Sequence, residues 1–180
     1  ASRSARSTLA TTANPRYNVS CSAAINGQSG APSASFVYPI EITNQGNTVD
    51  SFDLALSNNQ WPLSSPATVG PLNPGQSATV SVTVTIPATV TAGASDTARL
   101  TFTSHHDHTK SANVALTTTA QAVYRLTAAP ANAVKYASPG ETVAYQVQVT
   151  NLGNSADSFD VKVAATWPST APSTVGPLDP

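Results

Sequence analysis

SATVSVTVTIP, residues 77–87, alternates without interruption: Val80, Val82, Val84 and Ile86 fall on one side, Thr79, Ser81, Thr83 and Thr85 on the other. A period of two is the signature of a β-strand buried on one face and solvated on the other. The Pro-Gly pair at Pro74–Gly75 opens the run and Pro87 closes it, as turn residues bound a strand. The same alternation recurs on both sides. Phe36, Tyr38, Ile40 and Ile42 share one face, as do Phe52, Leu54 and Leu56; Leu100 with Phe102 and Val114 with Leu116 continue the pattern. No stretch of useful length has a helical period. Six or seven short strands in about 100 residues, each apolar on one face and Thr/Ser-rich on the other, predict an all-β, immunoglobulin-like sandwich of two sheets. Pro39 has no N–H to give a ladder, so its strand is expected at an edge or bulged there.

Internal repetition organises the chain. NQGNTVDSFD (Asn44–Asp53) returns as NLGNSADSFD (Asn151–Asp160), identical at seven of ten positions and 107 residues on. WPLSSPATVGPLNP (Trp61–Pro74) returns as WPSTAPSTVGPLDP (Trp167–Pro180), identical at nine of fourteen. SARSTLATTANPRY (Ser4–Tyr17) matches SANVALTTTAQAVY (Ser111–Tyr124) at seven of fourteen, again 107 apart. Residues 1–16 therefore read as the last strand of a preceding repeat or a donor strand, 17–123 as a complete repeat, and 124–180 as the front half of a second. In that half, Val143, Tyr145, Val147 and Val149, then Phe159, Val161 and Val163, are expected to alternate along strands. Counterparts of residues 77–87, 97–104 and 111–119 are missing from it, so it is expected to be completed by adjacent chain or by a neighbouring subunit through strand addition. Head-to-tail addition generates an open filament. The join at residues 111–129 holds no Gly/Ser-rich linker, which predicts a stiff connection.

Composition narrows the partners. Charged residues make up 9% of the 180, against roughly 25% in ordinary soluble proteins, and the formal net charge is −1. Such a chain has no basic stripe for a phosphate backbone, which argues against nucleic acid. No apolar run approaches the roughly 20 residues of a membrane helix. There is no methionine, so a processed chain or part of a longer one is expected. A single cysteine, Cys21, excludes an internal disulfide; its repeat counterpart is Ala128, which suits a small buried slot, with a reactive or intermolecular thiol as the alternative.

Four features could carry chemistry. SHHDHTK (Ser104–Lys110) offers His105, His106, Asp107 and His108 as metal ligands, set against a solvated loop between two strands. Asp50 and Asp53, repeated as Asp157 and Asp160, make an oxygen-rich segment open to Ca²⁺, set against a plain turn in which Asn-x-Gly uses the freedom of glycine to adopt positive φ. Trp61 and Trp167 are read as closing a core, with sugar stacking as the alternative. The outward Thr/Ser rows are open to O-linked glycans, contact with a neighbouring copy, or plain solvation. Neither a nucleophile elbow nor a Gly-rich phosphate loop is present, and no enzymatic activity is expected.

The succession ITNQGNTVDSFDLAL, WP, GPLNPGQSATVSVTVTIP and AGASDTARLTFTS resembles the immunoglobulin-like repeats of bacterial secreted and surface proteins, the NEW3 or CARDB-like domains. The resemblance covers the complete repeat and half of the next. It implies a spacer, stalk or adhesin role at the cell surface or outside it, or an accessory or glycan-binding module beside a secreted hydrolase. The leading expectation is a structural protein of the cell exterior whose partners are copies of itself.

Overall fold

The computed structural model describes residues 2–180; residue 1 of the expected 1–16 segment lies outside them. Nine strands occupy residues 19–120: β1 (Val19–Ala23), β2 (Gly27–Gly30), β3 (Ser35–Asn44), β4 (Asp50–Ser57), β5 (Leu63–Ser64), β6 (Thr68–Leu72), β7 (Ser77–Thr85), β8 (Ser95–Ser104) and β9 (Ser111–Ala120). They form two sheets, ordered β1-β3-β7-β5 and β2-β9-β8-β4-β6. Every pairing is antiparallel except β2 with β9. Only β8 and β9 are joined within a sheet; every other connection crosses from one sheet to the other. The alternating residues meet between the layers as the pattern dictates: Tyr38, Ile40 and Ile42 with Val80, Val82 and Val84 from one sheet, Phe52, Leu100, Phe102 and Leu116 from the other, all buried. Burying each such side chain contributes about 1.5–3 kcal/mol. Among the described residues there is no helix.

Polar groups inside this sandwich are paired. The Tyr38 hydroxyl crosses from β3 to the opposite sheet, donating to the Thr117 carbonyl at 2.9 Å and lying 2.8 Å from the Thr118 hydroxyl. Asp96, on β8, accepts the amides of Gln60 and Trp61 at 3.0 Å each, which seats Trp61 at the end of the core.

β3 is not an edge strand. It lies between β1 and β7, with Pro39 opposite Ser81 and no bulge. Proline is tolerated because β1 ends at Ala23, opposite Ile40, so on that side of β3 the ladder has stopped before Pro39. β2 and β5, too short to alternate visibly, bring the count to nine rather than six or seven.

Residues 124–180 carry four short strands in two ribbons. β10 (Leu126–Ala129) pairs with β11 (Gln148–Asn151), and β12 (Asp157–Asp160) with β13 (Thr174–Leu178). Each ribbon copies a register of the nine-stranded sandwich: Leu126 faces Asn151 as Val19 faces Asn44, and Phe159 faces Val175 as Phe52 faces Val69. The register shift after Asp50 recurs after Asp157, opposite Gly70 and Gly176, whose φ values of 114° and 125° suit glycine alone. The strands are shorter than the alternation predicts. β11 covers only what β10 faces, and Tyr145 and Val147 lie exposed outside it; β12 stops at Asp160, before Val161 and Val163. In the sandwich, β7 and β8 hold the corresponding parts of β3 and β4. A strand forms where it has a partner. Residues 2–18 form no strand, and Leu9 is exposed.

Candidate functional site

Folding brings together two candidate sets whose paired members stand 52 and 56 residues apart in the sequence. The loop after β8 carries His105–His108, and β4 carries Asp50 and Asp53 beside it. Asp50 is buried; its Oδ1 lies 2.8 Å from His106 Nδ1 and accepts the Ser51 amide at 2.9 Å, while its Oδ2 accepts the Ser104 hydroxyl at 2.5 Å. Burial raises the Asp50 pKa, but the bonds from His106, Ser104 and Ser51 outweigh it and hold the carboxyl below its ordinary value. His105 Nδ1 lies 3.2 Å from Asp53 Oδ2 at the surface. Asp107 turns inward on its own loop, accepting the Thr109 hydroxyl at 2.6 Å and the Thr109 amide at 3.0 Å, and these bonds lower its pKa. The His108 ring stands edge-on to His105 at 6.5 Å. Tyr17 stacks on His106, ring centroids 5.3 Å apart and planes within 7°.

The chemistry of this cluster is pairing. Among the described residues, no group of three His, Cys, Asp or Glu side chains is arranged to hold a metal ion. The ring nitrogens nearest the carboxylates are taken up in histidine–aspartate pairs. The order Ser104–Asp50–His106 also differs from a nucleophilic triad, in which the histidine must stand between hydroxyl and acid. Here the hydroxyl donates directly to the carboxylate, with no imidazole between them. Asp157 caps its own neighbour through the Ser158 amide at 2.8 Å, and Asp160 is exposed on β12.

The Asn-x-Gly-Asn turns hold the second constellation. Asn44 is buried: its Nδ2 donates to the carbonyls of Thr48 (2.8 Å) and Leu72 (2.9 Å), and its Oδ1 accepts the Gly46 amide at 2.9 Å. Asn151 repeats all three bonds at the same distances, to Ser155, Leu178 and Gly153. Gly46 and Gly153 are not at positive φ, contrary to the turn chemistry expected of them. A Cβ on Gly46 would collide with the Arg16 carbonyl, and one on Gly153 with the Val123 carbonyl. Glycine is needed there for close approach of the incoming chain. Asn47 and Asn154 then bind that chain. The signal was present, since both asparagines are among the identities of the repeated decapeptide, but nothing local says what they face.

The remaining candidates separate. Trp61 is 8% exposed and part of the core; Trp167, its counterpart, is 84% exposed, against the expectation of a core role. Cys21 is half-buried against the core, and burial raises its thiol pKa. The outward rows bond across strands: Thr97 with Thr117 at 3.0 Å, Thr43 with Ser77 at 2.7 Å, and Ser35 with Thr85 at 2.8 Å.

No family model and no curated protein matches this chain. Solved structures similar to part of it include a FixG-related protein from Vibrio parahaemolyticus (12% identity, 58% of this chain and 95% of that one, TM-score 0.43). A PapD-like domain of human CEP192 is 12% identical over 66% of this chain and 95% of that one, TM-score 0.39. The secreted serine protease VesC from Vibrio cholerae is 18% identical over 61% of this chain but only 24% of its own length, TM-score 0.39.

Proposed function

We propose that this chain is a structural protein of the cell exterior, built from immunoglobulin-like repeats that continue end to end into a filament, stalk or surface-layer element, with further copies of the chain as its partners. One observation carries the reading. The sandwich registers recur 107 residues on, in β10–β11 and β12–β13, while the edges that β7 and β8 cover in the first instance stand unpaired among the described residues. Apolar side chains lie exposed just beyond those strands, at Tyr145, Val147 and Val163, and elsewhere in residues 124–180 at Val134, Tyr136 and Trp167. Unpaired edges with apolar surface are templates for another strand. On this reading they are covered by strands of the same repeat family, and the load is carried by ladders such as β3–β7 and β8–β9, which each pair nine residues.

Negative-stain electron microscopy of the native protein, with its intact mass, tests this. Regular fibres or rods are expected, together with protection of Tyr136 and Trp167 from surface labelling in the assembled material. Monodisperse compact particles with both aromatics still labelled refute it.

A further inference from the structure

We propose that the Asn-x-Gly-Asn turn is the docking surface by which each repeat grips the repeat before it, its occupant being that repeat's loop between β7 and β8 together with the chain leaving β9. The proposal rests on the repeat reading above. Asn154 makes five hydrogen bonds to two separate stretches, residues 121–123 and 90–92. Its Oδ1 accepts the Val123 amide at 2.7 Å, and its Nδ2 donates to the carbonyls of Gln121 at 3.0 Å and Val90 at 3.2 Å. Its backbone amide donates to the Val123 carbonyl at 3.1 Å, and its carbonyl accepts the Ala92 amide at 2.9 Å. Asn154 is 8% exposed. Gly153 makes this possible, because a side chain there would push Val123 away. One residue of the second repeat is thus sealed against the exit of β9 and a loop of the first.

The earlier turn reproduces the part of this contact for which it has a partner. Asn47 Oδ1 accepts the Arg16 amide at 2.7 Å, its Nδ2 donates to the Asn14 carbonyl at 3.1 Å, and its amide donates to the Arg16 carbonyl at 2.9 Å. Asn14 and Arg16 stand 107 residues before Gln121 and Val123. The two bonds not repeated are those to the loop, which Val90 and Ala92 supply to Asn154, and Asn47 is correspondingly exposed. The same residue with the same local bonds is buried where a preceding β7–β8 loop is present and open where none is. A recurring surface with a recurring partner fits a joint of fixed geometry.

Amide hydrogen exchange on the full chain tests this, comparing Asn154→Ala, Gly153→Ala and Asn47→Ala. The diagnostic group is the Ala92 amide, whose acceptor is the Asn154 backbone carbonyl, an atom that neither substitution at the joint removes. If the turn is the docking surface, Asn154→Ala and Gly153→Ala each speed Ala92 exchange by about tenfold or more, with Val82 and Leu100 unchanged as the record of an intact core. Asn47→Ala leaves Ala92 unchanged and speeds exchange at Arg16. Wild-type exchange at Ala92 in both joint variants overturns the proposal. Because exchange is read on the dispersed chain, it stands or falls separately from the micrographs: fibres with no response at Ala92 remove the joint alone, and a response without fibres removes the filament alone.

Discussion

Replacing Asn44 by alanine deletes three hydrogen bonds at once inside a buried turn: two from Nδ2, to Thr48 and Leu72, and one into Oδ1 from Gly46. With each intramolecular bond worth about 1 kcal/mol net, the loss is about 3 kcal/mol, before any penalty for the Leu72 carbonyl left without its donor. The sandwich that melts spans residues 19–120, and for a unit of about 100 residues about 3 kcal/mol corresponds to a fall of about 12–24 °C in the midpoint. Asn151→Ala is the internal comparison, because it deletes the same three bonds at the same distances. Two of those bonds close the turn after β11 and the third, to Leu178, joins β11 to β13; both strands belong to two-stranded ribbons outside the nine-stranded sandwich. Its expected shift is below about 1 °C, since a lone ribbon adds little to a cooperative unit. Near-ultraviolet circular dichroism of buried Trp61, followed through a thermal melt of both variants, reads the sandwich selectively. Equal shifts in the two variants, or an Asn44→Ala midpoint within about 2 °C of wild type, would refute the claim that the same asparagine matters only where the sheets close.

Three further outcomes follow from the geometry. The Asp50 carboxyl titrates below its ordinary value in the folded chain, so the unfolded chain binds the proton more readily; its contribution is complete above about pH 4 and is lost as pH falls through the folded value. Asp50→Asn should therefore flatten the acid limb of a stability–pH curve measured by urea melts, and an unaltered limb would count against the assignment. Tyr38→Phe removes the hydroxyl that joins the two sheets through Thr117 and Thr118 and should cost about 1–2 kcal/mol in the same melts, whereas a neutral result would show those bonds to be unimportant. Asp96→Ala strips the acceptor from the Gln60 and Trp61 amides and should cost about 2–4 kcal/mol with a loss of the near-ultraviolet Trp signal; retention of both would show Trp61 to be held by packing alone.

Much of this molecule is written in residue order. Alternation is a local property, and it located the buried faces of β3, β7 and β8 down to single side chains: Tyr38, Ile40, Ile42, Val80, Val82, Val84, Leu100 and Phe102 are all in the core. Repetition too is written in residue order, and the pairs Leu126–Asn151 and Phe159–Val175 copy registers found 107 and 106 residues earlier. Partnership is not local. Whether Tyr145 continues a strand depends on a β7-like neighbour, and whether an identical tryptophan is 8% or 84% exposed depends on a β8-like one that supplies the counterpart of Asp96. The pairing of His106 with Asp50, and the glycine that makes room for a carbonyl rather than for a positive φ, needed residues 56 and 30 positions away to arrive. Periodicity and repetition are carried by covalent order; hydrogen-bond satisfaction and burial belong to whatever the fold sets alongside, and only the tertiary structure decided those.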